Sequence, residues 1–246
     1  MLGRAPDAGH HGPAAGARRA TVVAMPRPTE LTVPTESGPG RLLVSPAEHP
    51  TALLWLGHGA GGGAGAPDLT ALADELPLHG VTVVRHEQPW VLAGRRVAPR
   101  PAALDTGWLA AAPAVTGMAD GLPLVIGGRS AGARVACRTA ADVGASAVVC
   151  LAFPLHPPGR PERSRAEELL RPTVPVLVLQ GTRDAFGSAD EVAAAADGAP
   201  AVDVVPVEGA DHALAVRRSG PVSQEDTRAL VTAEVRRFLR RTRTTR

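Results

Sequence analysis

Short apolar runs alternate with longer amphipathic segments along most of this chain. Six runs stand out: ALLWLG (52–57), VTVVRHE (81–87), PLVIGG (123–128), SAVVCLA (146–152), VPVLVLQG (174–181) and VDVVPV (202–207). They are rich in Val, Leu and Ala and mostly lack polar alternation, the pattern of strands covered on both faces. The segments between them predict helices at 68–78, about 104–116, 131–143, 163–170 and 189–196, with a last one from about 223 to 239. In that last helix Val231, Val235, Phe238 and Leu239 fall at i, i+4, i+7 and i+8 and share one face. Ser223 with Asp226 resembles a capping box, with Asp shorter than the usual Glu. Upstream, ELTVPTESGPGRLLVS predicts two short strands joined by the turn-rich SGPG.

This alternation predicts an α/β fold, a mostly parallel central sheet with helices on both faces. No internal repeat and no interior domain boundary is visible. Residues 1–28 are rich in Ala, Gly and Pro without period and read as a disordered N-terminal segment. Residues 29–241 read as a single domain and 242–246 as an Arg-rich tail. The least regular interior stretches, 89–103 and 154–161, both follow strand C-terminal ends, where open α/β sheets place their ligands.

Composition narrows the class. The chain has 246 residues, enough to bury a core without disulfides or metal. No apolar run approaches the roughly 20 residues that span a bilayer, and MLGRAPDAGHHGPAAGARRA has no apolar core of a secretory signal. Cys137 and Cys150 read as small buried hydrophobes, so a cytoplasmic location without membrane contact is expected. Net charge is only +2, and aromatics that could stack on bases number three Trp and three Phe. Nucleic acid is therefore not an expected partner; a small-molecule substrate is. Whether the chain is a monomer or a homodimer is left open.

The chemistry concentrates in four places. Gly128-Arg129-Ser130-Ala131-Gly132 is a G-x-S-x-G between a strand and a helix, the setting in which glycines permit a sharp turn and expose the serine hydroxyl. A serine needs a base and the base an orienter. VLVLQGTRD places Asp184 just past a strand, and VEGADHALAV places His212 in the loop after the last strand. Serine, acid and histidine then follow in the order an α/β-hydrolase requires. His58-Gly59-Ala60-Gly61-Gly62 follows an early strand, and an amide of Ala60 or Gly61 would join that of Ala131 as an oxyanion hole.

Other readings compete at each position. Asp184 sits near a helix start and could serve as its N-cap; Asp211 adjoins His212 as a rival acid. His58 is expected to fix the glycine loop through its ring nitrogens. Arg129 is read as pairing with a carboxylate and bracing the turn, with an anionic substrate group as the alternative. His156 and His86 stand at strand ends as candidate pocket residues. Trp90 and Trp108 are read as core, Trp90 lying on the rim. The remaining histidines show no metal-ligand spacing, so neither metal nor cofactor is expected.

The stretches GHGAGG, RHEQPW, GGRSAGAR, LAFPLHPPGRPERSR, VLVLQGTRD and DHALAV carry a further likeness. On them the chain resembles the α/β-hydrolases over roughly residues 30–240. More narrowly, it resembles a small hydrolase-like family that includes a testis-expressed protein and a subunit of the non-specific-lethal chromatin complex, with bacterial members described as dienelactone-hydrolase-like. The resemblance implies a triad of Ser130, Asp184 and His212 and a compact fold with little or no cap domain. It leaves the substrate open. The expected function is a serine hydrolase acting on an ester, thioester or related carbonyl through an acyl-serine; the alternatives are a hydrolase-shaped, non-catalytic binding or scaffold protein, or an acyltransferase.

Overall fold

The computed structural model describes residues 27–243. The predicted disordered segment 1–28 therefore falls almost wholly outside the described residues, as does the end of the predicted tail. Eight strands form one sheet: β1 (Thr29–Thr35), β2 (Gly38–Ser45), β3 (Ala52–Gly57), β4 (Val81–Glu87), β5 (Leu124–Arg129), β6 (Ala147–Leu151), β7 (Val176–Gly181) and β8 (Val202–Val207). Their order is β1-β2-β4-β3-β5-β6-β7-β8. β1 and β2 are antiparallel to their neighbours and the other pairings are parallel. The helices are α1 (Pro67–Glu75), α2 (Pro89–Leu92), α3 (Pro101–Leu109), α4 (Ala112–Ala119), α5 (Ala131–Thr139), α6 (Ala166–Leu169), α7 (Ala189–Ala195) and α8 (Gln224–Arg243).

The double-sided apolar pattern of the strands has a direct structural meaning. Along β3, Leu53 and Trp55 join one core layer while Leu54 and Leu56 join the other. The same period-two split runs through β6 and β7. Residues of α3, α4, α5 and α7 close the first layer; α1 and α8 close the second. The four residues predicted for one face of the last helix, Val231, Val235, Phe238 and Leu239, all lie in that second layer. Ser223 caps α8 by accepting from the Asp226 amide at 3.0 Å; the Asp226 carboxylate reaches the Ser223 amide only at 3.4 Å, as its short side chain dictates. Cys137 and Cys150 are buried and free, with sulfurs 3.5 Å apart.

Several predicted boundaries shift for local reasons. The helix predicted over 104–116 is two helices, because Pro113 lacks an amide hydrogen and its ring crowds the preceding turn. α3 instead starts at Pro101, a residue suited to a first turn, and α2 occupies part of the stretch read as irregular. The helix predicted over 163–170 shrinks to α6: Arg165, at φ −117° and ψ 24°, stands outside it, and its amide donates to Leu155 O at 2.7 Å. α5 stops at Thr139, short of 143, and α8 runs on to Arg243. The first hairpin turns at Glu36 and Ser37, not over SGPG, because Thr35 already pairs with Gly38. The long connection from β6 to β7 carries only the one-turn α6.

Two contacts tie this frame to the end of the sheet where the motifs gather. A Cβ on Gly128 or on Gly132 would stand 2.4 Å from the carbonyl oxygen of Gly57, so both glycines are required by the approach of β3. Beside them the Trp55 and Trp108 rings stack at 3.6 Å, and the fully buried His86 ring lies 5.4 Å from Trp108. Burial lowers the His86 pKa to about 3.

Two outcomes follow from these contacts. Gly132→Ala should cost about 2–3 kcal/mol in urea unfolding, because a methyl cannot fit without moving β3. His86 should make stability acid-sensitive. The folded imidazole stays neutral while the unfolded one protonates below about 6.5, so stability is full above that pH and is lost on the way down to about 3. Its share of the slope is about 1.4 kcal/mol per pH unit. Unfolding midpoints measured from pH 7 to 4 should fall less steeply in His86→Phe than in the wild type; parallel profiles would contradict the neutral buried imidazole.

Candidate active site

β5 ends in a bend centred on Ser130, whose φ of +51° and ψ of −110° lie outside the comfortable regions for a residue with a side chain. Such a conformation costs on the order of 1–3 kcal/mol and persists only where its surroundings hold it. Here the Ser130 amide donates to Leu151 O at 2.9 Å and the Arg134 amide donates to Ser130 O at 3.2 Å. The bend aims the hydroxyl at the loop after β8. Ser130 Oγ is 2.9 Å from His212 Nε2, and His212 Nδ1 is 2.7 Å from Asp184 Oδ2. The three side chains named from the sequence thus meet in one hydrogen-bonded line. Its inner end is dry and its outer end open: the Asp184 side chain is 0% exposed and that of His212 22%.

Each member is held by neighbours that the sequence pattern did not single out. Asp184 Oδ2 also accepts from Gln180 Nε2 at 3.0 Å, and Oδ1 accepts from the Phe186 amide at 2.8 Å, so the carboxylate cannot rotate. The Gln180 amide group donates as well to Phe153 O and Gly187 O. Gln180 was visible in principle as the polar residue of the apolar VLVLQG run. The Phe186 ring stacks on the His212 imidazole at 4.1 Å. Asp184 does not cap α7; Ser188 does, in a capping box with Glu191. Asp211 is not a second acid for the histidine, because its Oδ1 accepts the amides of Ala213 and Ala215 and shapes the loop.

Arg129 braces that loop from below. Its Nη2 donates to the backbone oxygen of His212 at 2.7 Å, and its Nε lies 3.6 Å from Asp68 Oδ2. The expected carboxylate partner is thus the buried Asp68. Burial raises the Asp68 pKa, and the Arg129 charge partly opposes that rise. Nη2 and Nε of Arg129 thus both face groups of the protein, the expected bracing of the turn.

The other side of Ser130 is built from the GHGAGG and RHEQPW stretches together. His58 Nε2 accepts from the Gln88 amide at 3.1 Å, which leaves the proton on Nδ1 to be donated to Gly59 O at 2.9 Å. His58 therefore fixes the glycine loop as expected, with one nitrogen donating and the other accepting. Burial lowers its pKa and keeps it neutral. Glu87 accepts from the Ala64 amide at 3.4 Å and Gln88 Nε2 donates to Leu104 O at 3.0 Å. Trp90 packs 5.5 Å from the His58 ring.

Ala131 is the first residue of α5, so its amide has no acceptor within the helix. Ala60, Ala131 and Trp90 line one narrow cleft with Trp108. Gly61 is exposed and is not part of its lining. Trp108 is fully buried core, as expected. His156 lies away from this cleft: its Nδ1 donates to Pro157 O at 3.0 Å, its Nε2 is 3.4 Å from Glu191, and its amide donates to Phe186 O. His86 is enclosed by the two tryptophans. Among the described residues, no group of three His, Cys, Asp or Glu is placed to hold a metal ion, and no helix is long and apolar enough to cross a membrane.

Comparison with solved structures places this architecture among known ones. A Xanthomonas campestris protein described as an a/b serine hydrolase without lid superposes with a TM-score of 0.68 at 22% identity, over 86% of this chain and 94% of that one. Est1E from Butyrivibrio proteoclasticus gives 0.67 at 16% identity, over 87% and 98%. A dienelactone hydrolase from Anabaena variabilis gives 0.64 at 18%, over 85% and 97%. These likenesses concern the fold. The family model described as alpha/beta hydrolase domain matches residues 50–240, a span that holds the serine bend, the acid loop and the histidine loop. By that match, this chain belongs to the alpha/beta hydrolase domain family.

Proposed function

We propose that this protein is a serine hydrolase that cleaves an ester, thioester or related carbonyl compound through an acyl-Ser130 intermediate. The observation that carries the reading is the contact line Ser130 Oγ–His212 Nε2–His212 Nδ1–Asp184 Oδ2, at 2.9 and 2.7 Å. Ser130 Oγ attacks the carbonyl carbon as its proton passes to His212 Nε2. Asp184 holds the Nδ1 proton in place and balances the imidazolium. The amides of Ala131 and Ala60 receive the oxyanion. Collapse of the tetrahedral adduct breaks the bond to the leaving group, which takes the proton from His212. A water, deprotonated by the same nitrogen, then releases the acid and restores Ser130.

Solvent reaches the outer edge of His212, so water has access to the bond it would cleave in the acyl-Ser130 intermediate. The chemistry needs no cofactor, and the substrate is a small molecule. The two unbridged buried thiols suit a cytoplasmic setting.

A fluorophosphonate probe should label Ser130, and Ser130→Ala should abolish labelling. An unlabelled but folded wild type would sink the reading in favour of a hydrolase-shaped binding protein. His212→Ala should lower kcat for p-nitrophenyl acetate by about a thousandfold or more, with an unfolding midpoint close to the wild type, since the side chain is partly exposed. Arg129→Met is a subtler test. Loss of its bond to the His212 backbone should lower kcat about tenfold or more with little change in KM, as expected when only the geometry of the base is disturbed.

A further inference from the structure

The cleft beside Ser130 has an asymmetric lining that bears on which substrates fit. Its walls come from the β3 and β4 loops and from α3 and α5: Trp90, Leu104, Trp108 and Val135, with Ala60 and Ala131 at the mouth. Neither Asp184, Phe186 nor His212 contributes to it. The two residues proposed to offer their amides to the oxyanion therefore line an apolar recess to which the base does not contribute.

We propose that this recess is the acyl pocket and that it restricts the protein to acyl groups of about two or three carbons. The assignment rests on the hydrolase reading above. Its logic is geometric. The leaving group must receive its proton from His212 Nε2, so it lies on the histidine side of the tetrahedral carbon. The oxygen is fixed by the Ala60 and Ala131 amides. The remaining substituent, the acyl chain, then points to the opposite side, where the recess begins. The recess has a volume of about 10 Å³, close to the minimum that holds one water, which suits a methyl rather than a chain.

Its walls resist widening. Trp108 is fully buried and stacked on Trp55 at 3.6 Å, Val135 is buried under the sheet, and the backbone of Leu104 is tied to Gln88. Closely packed side chains of this kind do not make room for extra methylenes without cost. Leaving groups face no such limit, because the histidine side is open to solvent.

The test uses p-nitrophenyl acetate, butyrate and hexanoate, which share one leaving group, with release of p-nitrophenol read alongside the intact mass of the acylated protein. In the wild type kcat/KM should fall at least tenfold from acetate to butyrate and further to hexanoate. Leu104→Ala should raise the hexanoate-to-acetate ratio at least tenfold; Val135→Ala, a smaller deletion, should move it in the same direction. Hexanoate turned over as well as acetate by the wild type overturns the pocket assignment while leaving the hydrolase intact. So does an unchanged ratio in either folded variant. Absence of both turnover and a Ser130 adduct with every ester overturns the hydrolase reading and the pocket with it.

Discussion

The carbonyl oxygen of Gly57 is the point on which the working end of the sheet rests. Gly57 pairs with Gly128 across β3 and β5, and its oxygen sits where a side chain at position 128 or 132 would stand. That approach does two things at once. It draws the end of β3 against the first turn of α5, beside the strained Ser130, and it brings Ala60 and Ala131 onto one cleft. A methyl group at either glycine would separate these elements together rather than one by one. The bend at Ser130 and the cleft beside it are therefore shaped by one close approach.

Much of this was legible in the sequence because it depends on local pattern. Strands at 52–57, 81–87 and 202–207 coincide with the apolar runs residue for residue. Ser130, Asp184 and His212 were readable from their positions at strand ends, and the structure brings them within hydrogen-bonding reach. What escaped the pattern depends on how distant loops converge. Nothing in GAPDLT announces that Asp68 will lie against Arg129, or that Arg129 will hold the backbone of a residue 83 positions later. Phe186 stacks on His212 only because the acid loop and the base loop cross. Of the helix boundaries, the break at Pro113 was readable from the residue itself, whereas the non-helical Arg165 at the start of α6, its amide bonded to Leu155 O, follows from no local rule.

The six stretches that carried the family likeness acquire a physical account once they are seen as pairs. RHEQPW holds GHGAGG and the residues after it: the Gln88 amide fixes the His58 ring, Trp90 packs beside the imidazole, and Glu87 takes the Ala64 amide just downstream. GGRSAGAR holds DHALAV through Arg129. LAFPLHPPGRPERSR holds VLVLQGTRD and its loop, through Phe153 O to Gln180 and through the His156 amide to Phe186 O. No stretch is self-sufficient, so a change in one should be felt in the geometry of its partner.

These braces differ in kind on the two sides of Ser130, and the difference follows from the charges the reaction would create. On the histidine side the supports are ionic and polar: Asp184, Arg129 and Asp68 surround the loop on which, in the proposed mechanism, a positive imidazolium forms and disappears. On the recess side the nearby titratable rings, His58 and His86, are kept neutral by burial, and the remaining supports are amides, indoles and the Glu87 carboxylate that takes the Ala64 amide. An oxyanion formed there would be met by fixed backbone dipoles, which need no reorganisation. His58 is held neutral by burial, with one nitrogen occupied by the Gln88 amide and the other by Gly59 O, so the loop it fixes carries backbone dipoles and no added imidazolium charge.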